Sequence, residues 1–193
     1  MVNKFIFNRK RKNTIVLIHG LYTTSGFWLS YFKLFKNFRI IAFDINYDEL
    51  LKSDHSINFL RDTFRVDGDI VGVISHSFGT VISDLVFDQN NEMIYKICPV
   101  AFSKRLESSN FVLDIINKTS LTEVLINDNI KLVRSYLSKV KNFLSYSGQI
   151  YIPNMDCYFS YEIPQKKKIE FNGDHFNINL ALENIIDELS SCN

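Results

Sequence analysis

The chain has 193 residues, of which 46% are hydrophobic and 22% charged, the composition of an ordinary globular protein. Its 22 basic and 21 acidic residues leave a formal net charge of +1, so no global field attracts nucleic acid or an anionic membrane. Three irregularly spaced cysteines favour a reducing compartment, and no apolar run is long enough for a membrane span or a signal peptide. We therefore expect one domain, residues 1–193, in the cytoplasm, without a nucleic-acid partner. The oligomeric state stays open.

The first half of the chain alternates strand-like with helix-like segments. The run Thr14–Ile18 is almost continuously apolar, as is typical of a parallel strand buried on both faces, and similar runs follow at residues 39–43 and 70–74. Strands that alternate with helices predict an α/β protein, with a mostly parallel central sheet and helices on both faces. The other predicted elements of this half are an edge strand over residues 4–8 and helices over residues 26–36, 48–64 and 80–88.

The second half of the chain predicts fewer strands and more helix. A further strand is expected over residues 93–98 and 100–102, which flank Pro99. Residues 103–147 have helical periodicity in several pieces, more than one crossover helix requires, and predict a small helical lid over the strand ends. The last predicted elements are strands over residues 149–152 and 167–171 and an amphipathic helix over residues 178–189.

A sharp turn is predicted where the third buried strand ends, at Ser75-His76-Ser77-Phe78-Gly79. Such a turn needs small residues two before and two after its apex, because the strand and the following helix pass close together. Ser75 and Gly79 are both small, so Ser77 would stand at the apex. A serine held there acts as a nucleophile when a histidine reaches its Oγ and backbone N–H groups await an oxyanion. Ser77 is therefore the predicted nucleophile.

Several such features, taken in chain order, resemble the α/β-hydrolase family. They are His19-Gly20-Leu21 after the first buried strand, the Ser77 turn after the third, an acid at Asp156, and Gly173-Asp174-His175-Phe176 after the last strand. The order serine, acid, histidine is that of the family. The resemblance covers the chain from Thr14 onward and implies a compact member with a small lid. The turn departs from the family pattern only in having Ser75 where glycine is usual.

The resemblance implies an oxyanion hole and a general base. The hole would be formed by the backbone N–H groups of Leu21 and Phe78, which donate to the charge that develops in the tetrahedral intermediate. His175 would be the general base, since its loop lies between the last strand and the last helix. Of the other histidines, His19 belongs to the oxyanion loop, His76 adjoins the nucleophile and His55 lies in a polar surface stretch.

The acid that would orient His175 is predicted at Asp156. It follows the strand over residues 149–152 at the place where the family carries its acid, with proline in place of the usual glycine. Some relatives carry the acid one strand earlier, but residues 98–103 offer no carboxylate there, and the first candidate is Glu107. Asp174 is too close to His175 in sequence to orient that ring and is expected to be a turn residue. Asp44 is expected to cap its strand end.

Four side chains are predicted to line the substrate site: His76, Tyr22, Phe111 and Tyr136. The apolar residues of the predicted lid would either wall an acyl pocket or bury themselves against the sheet, and the sequence leaves both alternatives open. These lid residues are Phe111, Leu113, Ile116, Leu121, Leu125, Leu132, Tyr136 and Leu137.

The implied reaction is two-step acyl transfer from an ester or thioester to water through an acyl-enzyme on Ser77. The sequence has no metal-binding motif, no phosphate-binding loop and no dinucleotide fingerprint, so neither a metal nor an organic cofactor is expected. The expected substrate is an acyl chain carried by coenzyme A, a small alcohol or an acyl carrier protein, which would be the partner. Two alternatives are an acyltransferase that uses the same triad and a non-catalytic binding protein with the same fold.

Overall fold

The computed structural model describes residues 1–87, 93–103 and 123–191, with the main chain alone over residues 123–129. A seven-stranded sheet forms the centre of the molecule. Its strands are β1 Val2–Phe7, β2 Thr14–Ile18, β3 Arg39–Ile45, β4 Ile70–His76, β5 Ile94–Ile97, β6 Gln149–Pro153 and β7 Lys168–Phe171. They lie in the order β1-β3-β2-β4-β5-β6-β7. Only the edge strand β1 is antiparallel to its neighbour, so the predicted mostly parallel sheet is confirmed.

Helices cover both faces of this sheet, as predicted. All five side chains of β2 are buried, with Ile15 and Leu17 in one apolar cluster and Val16 and Ile18 in the other. Alternation along the strand thus places a core on each face. The α-helices that the structure describes are α1 Tyr47–Lys52, α2 Ile57–Thr63, α3 Gly79–Val86, α4 Glu123–Val140 and α5 Asn179–Ser191. Helices α1 to α4 contribute to the cluster around Val16, and α5 contributes to the other.

Three predicted elements differ from those observed. The helix expected over residues 26–36 is a 3₁₀ helix, Ser25–Tyr31, followed by turns. The helix expected over residues 48–64 is two short helices, because Ser56 caps the start of α2 through a bond to the Phe59 N–H. The strand expected over residues 93–102 ends at Ile97, because Cys98 has a left-handed φ of 54° that a strand cannot contain, and Val100–Phe102 is a 3₁₀ turn.

The last two strands and the terminal helix α5 lie where they were predicted. Helix α4 and the 3₁₀ turn Lys141–Phe143 occupy the second part of the predicted lid, and the buried side chains Val133 and Val140 pack into the core beside α1. Residues 104–122, which include Phe111 and Glu107, lie outside the described residues. The helical lid within residues 103–147 and the single-domain organisation therefore stay predictions. Within the described ranges, no helix combines the length and apolarity that a bilayer crossing needs.

The parallel strands bring the predicted site residues to one edge of the sheet. His19 directly follows β2 and Ser77 directly follows β4. Asp156 and His175 lie in the loops after β6 and β7. Because the carboxyl ends of parallel strands share an edge, residues far apart in sequence meet there.

Candidate active site

Ser77 stands at the apex of a strained turn between β4 and α3. Its φ of 54° is in the left-handed region, which residues other than glycine rarely adopt. The Ser77 N–H donates to the Ile97 carbonyl at 2.9 Å, and the Thr80 hydroxyl donates to the Ser77 carbonyl at 2.7 Å. These bonds hold the turn in a conformation that presents Oγ at the end of the strand, as in a nucleophile elbow.

Two glycines allow the turn to approach the end of β2. A Cβ on Gly79 would lie 2.5 Å from the His19 carbonyl oxygen and 2.7 Å from that of Ile18. A Cβ on Gly20 would lie 2.7 Å from the Ser77 Cβ. Neither position therefore has room for a side chain. Because both residues lack a Cβ, α3 and the loop after β2 can approach each other closely around Ser77.

Ser75 occupies the place where the family pattern has glycine. Its side chain is buried, with Oγ donating to the Tyr95 carbonyl at 3.2 Å and lying 3.1 Å from the Ser83 Oγ. The hydroxyl thus has partners on β5 and α3. The turn tolerates serine here because this hydroxyl is satisfied inside the protein.

His175 lies between Ser77 and Asp156. Its Nε2 is 3.0 Å from the Ser77 Oγ and its Nδ1 is 3.0 Å from the Asp156 Oδ2, and the residue is only 2% exposed. Because a carboxylate accepts, Nδ1 carries the proton and Nε2 is left to accept from the serine hydroxyl. The predicted turn residue Asp174 accepts from the N–H groups of Phe176 and Asn177, both at 2.8 Å, and so shapes the loop that carries His175.

Asp156 accepts hydrogen bonds on both carboxylate oxygens. Its Oδ1 accepts from the N–H groups of Tyr158 at 2.8 Å and Phe159 at 3.0 Å, and its Oδ2 accepts from His175 and from the Tyr161 hydroxyl at 2.6 Å. Burial alone would raise the pKa of this carboxyl group, but His175 and the other donors outweigh burial and lower the pKa. Asp156 is therefore held in its ionised form.

Sequence reasoning did not find Tyr161. Its hydroxyl lies within hydrogen-bonding distance of both the acid and the predicted base, at 2.6 Å from the Asp156 Oδ2 and 3.2 Å from the His175 Nδ1. The residue lies in an irregular loop, and no motif surrounds it. A tyrosine a few residues after the acid gives no sign of this contact in the sequence, because the contact depends on how the loop folds.

The loop that carries Leu21 is held by His19, which is fully buried. Its Nε2 accepts from the Ile45 N–H at 2.9 Å, so its Nδ1 carries the proton and donates to the Gly20 carbonyl at 2.8 Å. Burial lowers the pKa of His19, which keeps the ring neutral. In the part of the chain that the structure describes, the N–H groups of Leu21 and Phe78 have no acceptor. Both amides are therefore available to an oxyanion.

His76, which adjoins Ser77 and was predicted to point aside or to line the substrate site, is almost fully buried, and its lining role stays a prediction. The residue is 1% exposed, its Nε2 donates to the His175 carbonyl at 2.7 Å, and its ring stacks on Phe27 with centroids 4.6 Å apart. Burial lowers its pKa to about 3, so the ring is neutral. The hydrogen bond to the His175 carbonyl ties His76 to the loop that carries the predicted base.

Tyr22 and Tyr136 are the other predicted lining residues that the structure describes. Tyr22 is half-buried in the loop after β2 and has a left-handed φ of 60°. Tyr136, on α4, is half-buried with its ring centroid 6.1 Å from that of Phe78, and burial raises its pKa to about 12. Asp44, expected to cap its strand end, is the last residue but one of β3 and accepts from the Ser25 N–H at 2.7 Å. Phe111 lies outside the described residues.

One grouping of metal-ligand types occurs among the described residues. The Cys98 Sγ, the Asp156 carboxylate and a ring nitrogen of His175 all lie within 4.8 Å of one another. Asp156 and His175 are bonded directly to each other, and the Tyr161 hydroxyl occupies the same carboxylate oxygen. The arrangement is thus a hydrogen-bond network whose atoms already have partners.

Comparison with solved structures identifies the fold. Alpha/beta hydrolase domain-containing protein 10 from mouse matches over 100% of this chain and 95% of its own, with 12% identity and a TM-score of 0.59. A lipase-esterase related protein from Clostridium acetobutylicum matches over 99% of both chains, with 14% identity and a TM-score of 0.59. The NocB thioesterase domain, solved as a covalent complex with a fluorophosphonate nocardicin G analogue, matches over 97% and 99%, with 10% identity and a TM-score of 0.56.

No protein-family model matches the chain, and comparison with curated proteins gives no significant match. Sequence identities as low as those of the matched structures show a shared architecture alone. The matches extend over nearly the whole length of this chain and of the matched structures. The chain has the α/β-hydrolase fold.

Proposed function

We propose that this protein is a serine hydrolase that cleaves an acyl ester or thioester through an acyl-enzyme on Ser77. The observation that carries the proposal is the hydrogen-bonded chain from the Ser77 Oγ through both nitrogens of His175 to Asp156, with each link 3.0 Å long. The serine at its end has the left-handed φ that a nucleophile elbow requires. An ordinary turn serine needs none of these features.

The first half-reaction forms the acyl-enzyme. The Ser77 oxygen attacks the carbonyl carbon of the substrate while its proton passes to the His175 Nε2, and ionised Asp156 stabilises the imidazolium. The negative charge on the carbonyl oxygen is met by the N–H groups of Leu21 and Phe78, each worth about 3 kcal/mol of barrier. The bond to the leaving group then breaks, and the proton on Nε2 is delivered to the departing oxygen or sulfur.

The second half-reaction regenerates the serine. Water gives a proton to the His175 Nε2 and attacks the acyl carbon, and the released Ser77 oxygen recovers that proton as the acid product leaves. The chain itself supplies the nucleophile, base, acid and oxyanion donors. The reaction therefore needs neither a metal nor an organic cofactor.

The favoured substrate is an acyl chain on coenzyme A, on an acyl carrier protein or on a small alcohol. Ester and thioester cleavage use the same attacking and stabilising groups, and the matched structures include an esterase-related protein and a thioesterase domain. Turnover of p-nitrophenyl esters of increasing chain length, beside acyl-coenzyme A and acyl-carrier thioesters, distinguishes the two and measures the depth of the acyl site.

A fluorophosphonate probe tests the mechanism. We expect it to label the wild-type protein at one serine and to leave Ser77→Ala unlabelled, because Ser77 alone among the serines that the structure describes is hydrogen-bonded to a histidine. Ser30→Ala is the matched control, since Ser30 is exposed on the 3₁₀ helix, and its labelling should equal that of the wild type. Hydrolysis that survives in folded Ser77→Ala, or a wild type that neither labels nor turns over any of the substrates, would contradict the proposal.

A further inference from the structure

The hydroxyl of Tyr161 shares a carboxylate oxygen with His175. It donates to the Asp156 Oδ2 at 2.6 Å, while the His175 Nδ1 donates to the same oxygen at 3.0 Å. The phenol oxygen and Nδ1 are 3.2 Å apart, but each uses its proton on Asp156, so this distance is a contact between two donors. Tyr161 thus competes with the predicted base for the charge of the acid.

The main chain holds Tyr161 in this position. An isolated antiparallel bridge pairs Tyr161 with Ser103, and the next residue, Glu162, donates its N–H to the Phe102 carbonyl at 2.7 Å. The loop that follows β6 and carries Asp156 is therefore tied to the turn that follows β5. These two main-chain contacts hold the Tyr161 hydroxyl beside the Asp156 carboxylate, although the residue lies in an irregular loop.

Cys98 lies beside this network. It is fully buried at the end of β5, and its Sγ lies within 4.8 Å of the Asp156 carboxylate and of a ring nitrogen of His175. Burial raises the pKa of both Cys98 and Tyr161 well above the usual values, so both keep their protons at neutral pH.

We propose that Tyr161 is a positioning residue that acts on His175 through Asp156, an inference that rests on the proposed function. Two backbone N–H groups fix one oxygen of the carboxylate, and the phenol fixes the other. The bond from Tyr161 also withdraws negative charge from the oxygen that faces the imidazole. The phenol therefore limits how strongly Asp156 stabilises the imidazolium and sets the pH at which the base becomes available.

The pH dependence of Tyr161→Phe tests this role. Without the phenol proton, the full carboxylate charge faces the imidazolium, so we expect the midpoint of the acid limb of kcat/KM to rise by about half a pH unit. The plateau of kcat should fall by up to about tenfold because Asp156 is held less firmly, with KM unchanged.

The matched control is Tyr151→Phe, which removes the hydroxyl of a buried tyrosine that donates to the Gln149 Oε1 at 3.0 Å. Its midpoint should equal that of the wild type. Thermal denaturation establishes that each variant is folded at the assay temperature.

Proton NMR gives a second readout that needs no substrate. The low-field resonance of the His175 Nδ1–H should move further downfield in Tyr161→Phe, because its acceptor carries more charge. A folded variant in which both the midpoint and this resonance are unchanged would overturn the inference, as would a shifted resonance with an unmoved midpoint. Failure of the proposed function itself would instead be recognised by hydrolysis that persists in Ser77→Ala.

Discussion

Two buried carboxylates in this molecule have opposite properties. Asp156 accepts four hydrogen bonds from neighbouring groups, and its pKa is lowered. Asp84, on α3, faces the buried ammonium of Lys96 on β5 at 2.5 Å and accepts from the Ser145 N–H at a long 3.3 Å. Burial raises the pKa of Asp84 and lowers that of Lys96, in spite of their attraction.

The difference lies in whether the surrounding groups outweigh the cost of burial. At Asp156 the interactions with His175, the Tyr161 hydroxyl and the Tyr158 N–H lower the pKa by more than burial raises it, whereas at Asp84 burial outweighs the attraction of Lys96. Desolvation of two ions can exceed their mutual attraction. Asp84 and Lys96 join α3, β5 and the segment after α4, since Lys96 also donates to the Ser145 carbonyl at 2.8 Å.

The largest expected effect concerns Asp156. Asp156→Asn should lower kcat by about 10³-fold or more, because the amide cannot stabilise the imidazolium or fix the tautomer of His175. Glu107→Gln, which changes the other acid considered from the sequence, should keep the wild-type kcat. Steady-state kinetics with the best ester substrate checks both variants. An Asp156→Asn variant with full activity would remove this residue from the triad.

Breaking the buried ion pair of Asp84 and Lys96 should destabilise the fold. Lys96→Met leaves Asp84 buried without its cation, and we expect a loss of about 3 kcal/mol in the free energy of unfolding. The double variant Asp84→Leu with Lys96→Met should return to within about 1 kcal/mol of the wild type. Lys52→Met is the control, since Lys52 pairs with Asp48 on the surface of α1 and should contribute about 0.5 kcal/mol or less. Urea denaturation measures all three, and equal losses at both lysines would remove the contrast.

The two carboxylates should also differ in their response to acid. The lowered pKa of Asp156 contributes stability that is present above the unfolded value of about 3.9 and is lost as the pH falls through the folded value. The raised pKa of Asp84 means that ionisation costs stability above the folded value, and this cost disappears as the pH falls towards about 3.9.

Urea denaturation at a series of pH values between neutral and acid tests these signs. On acidification, the stability advantage of the wild type over Asp156→Asn should shrink. Over the same range, the wild type should gain stability relative to Asp84→Asn. Shifts of the same sign in both comparisons would show that the two sites do not differ in the way described.

The smallest expected effect concerns Ser75, which lies beside the proposed triad and has no role in the proposed reaction. Ser75→Gly restores the usual glycine but removes the bond to the Tyr95 carbonyl and adds a flexible residue to a strand, so stability should fall by about 1 kcal/mol. The value of kcat should stay within about twofold of the wild type, as determined from initial rates. A tenfold change in kcat would mean that this serine also tunes the nucleophile.

The fold could be predicted from sequence because continuous apolar runs marked the buried strands. The positions of Ser77, Asp156 and His175 followed, since each lies directly after a strand whose carboxyl end shares one edge of the sheet. The catalytic roles of these residues stay proposals. Short-range geometry was harder to predict, because the left-handed φ of Cys98 ended a strand that the apolar pattern would have continued.

The surroundings of His175 could not be predicted. The burial of His76 depends on Phe27, which comes from a distant 3₁₀ helix, and the place of Tyr161 depends on its bridge to Ser103. Both contacts join segments that are far apart in the chain. Local periodicity contains no information about such contacts.

The link between Ser77 and His175 joins residues 98 positions apart. A chain still being synthesised, or one truncated before β7, would contain the strained serine turn without its base. Such a fragment would not react with a fluorophosphonate at Ser77, because contacts of large sequence separation form only when the intervening chain has folded. Under the proposed function, labelling of Ser77 by a fluorophosphonate would therefore report complete folding as well as reactivity, and would count correctly folded molecules in a crude preparation.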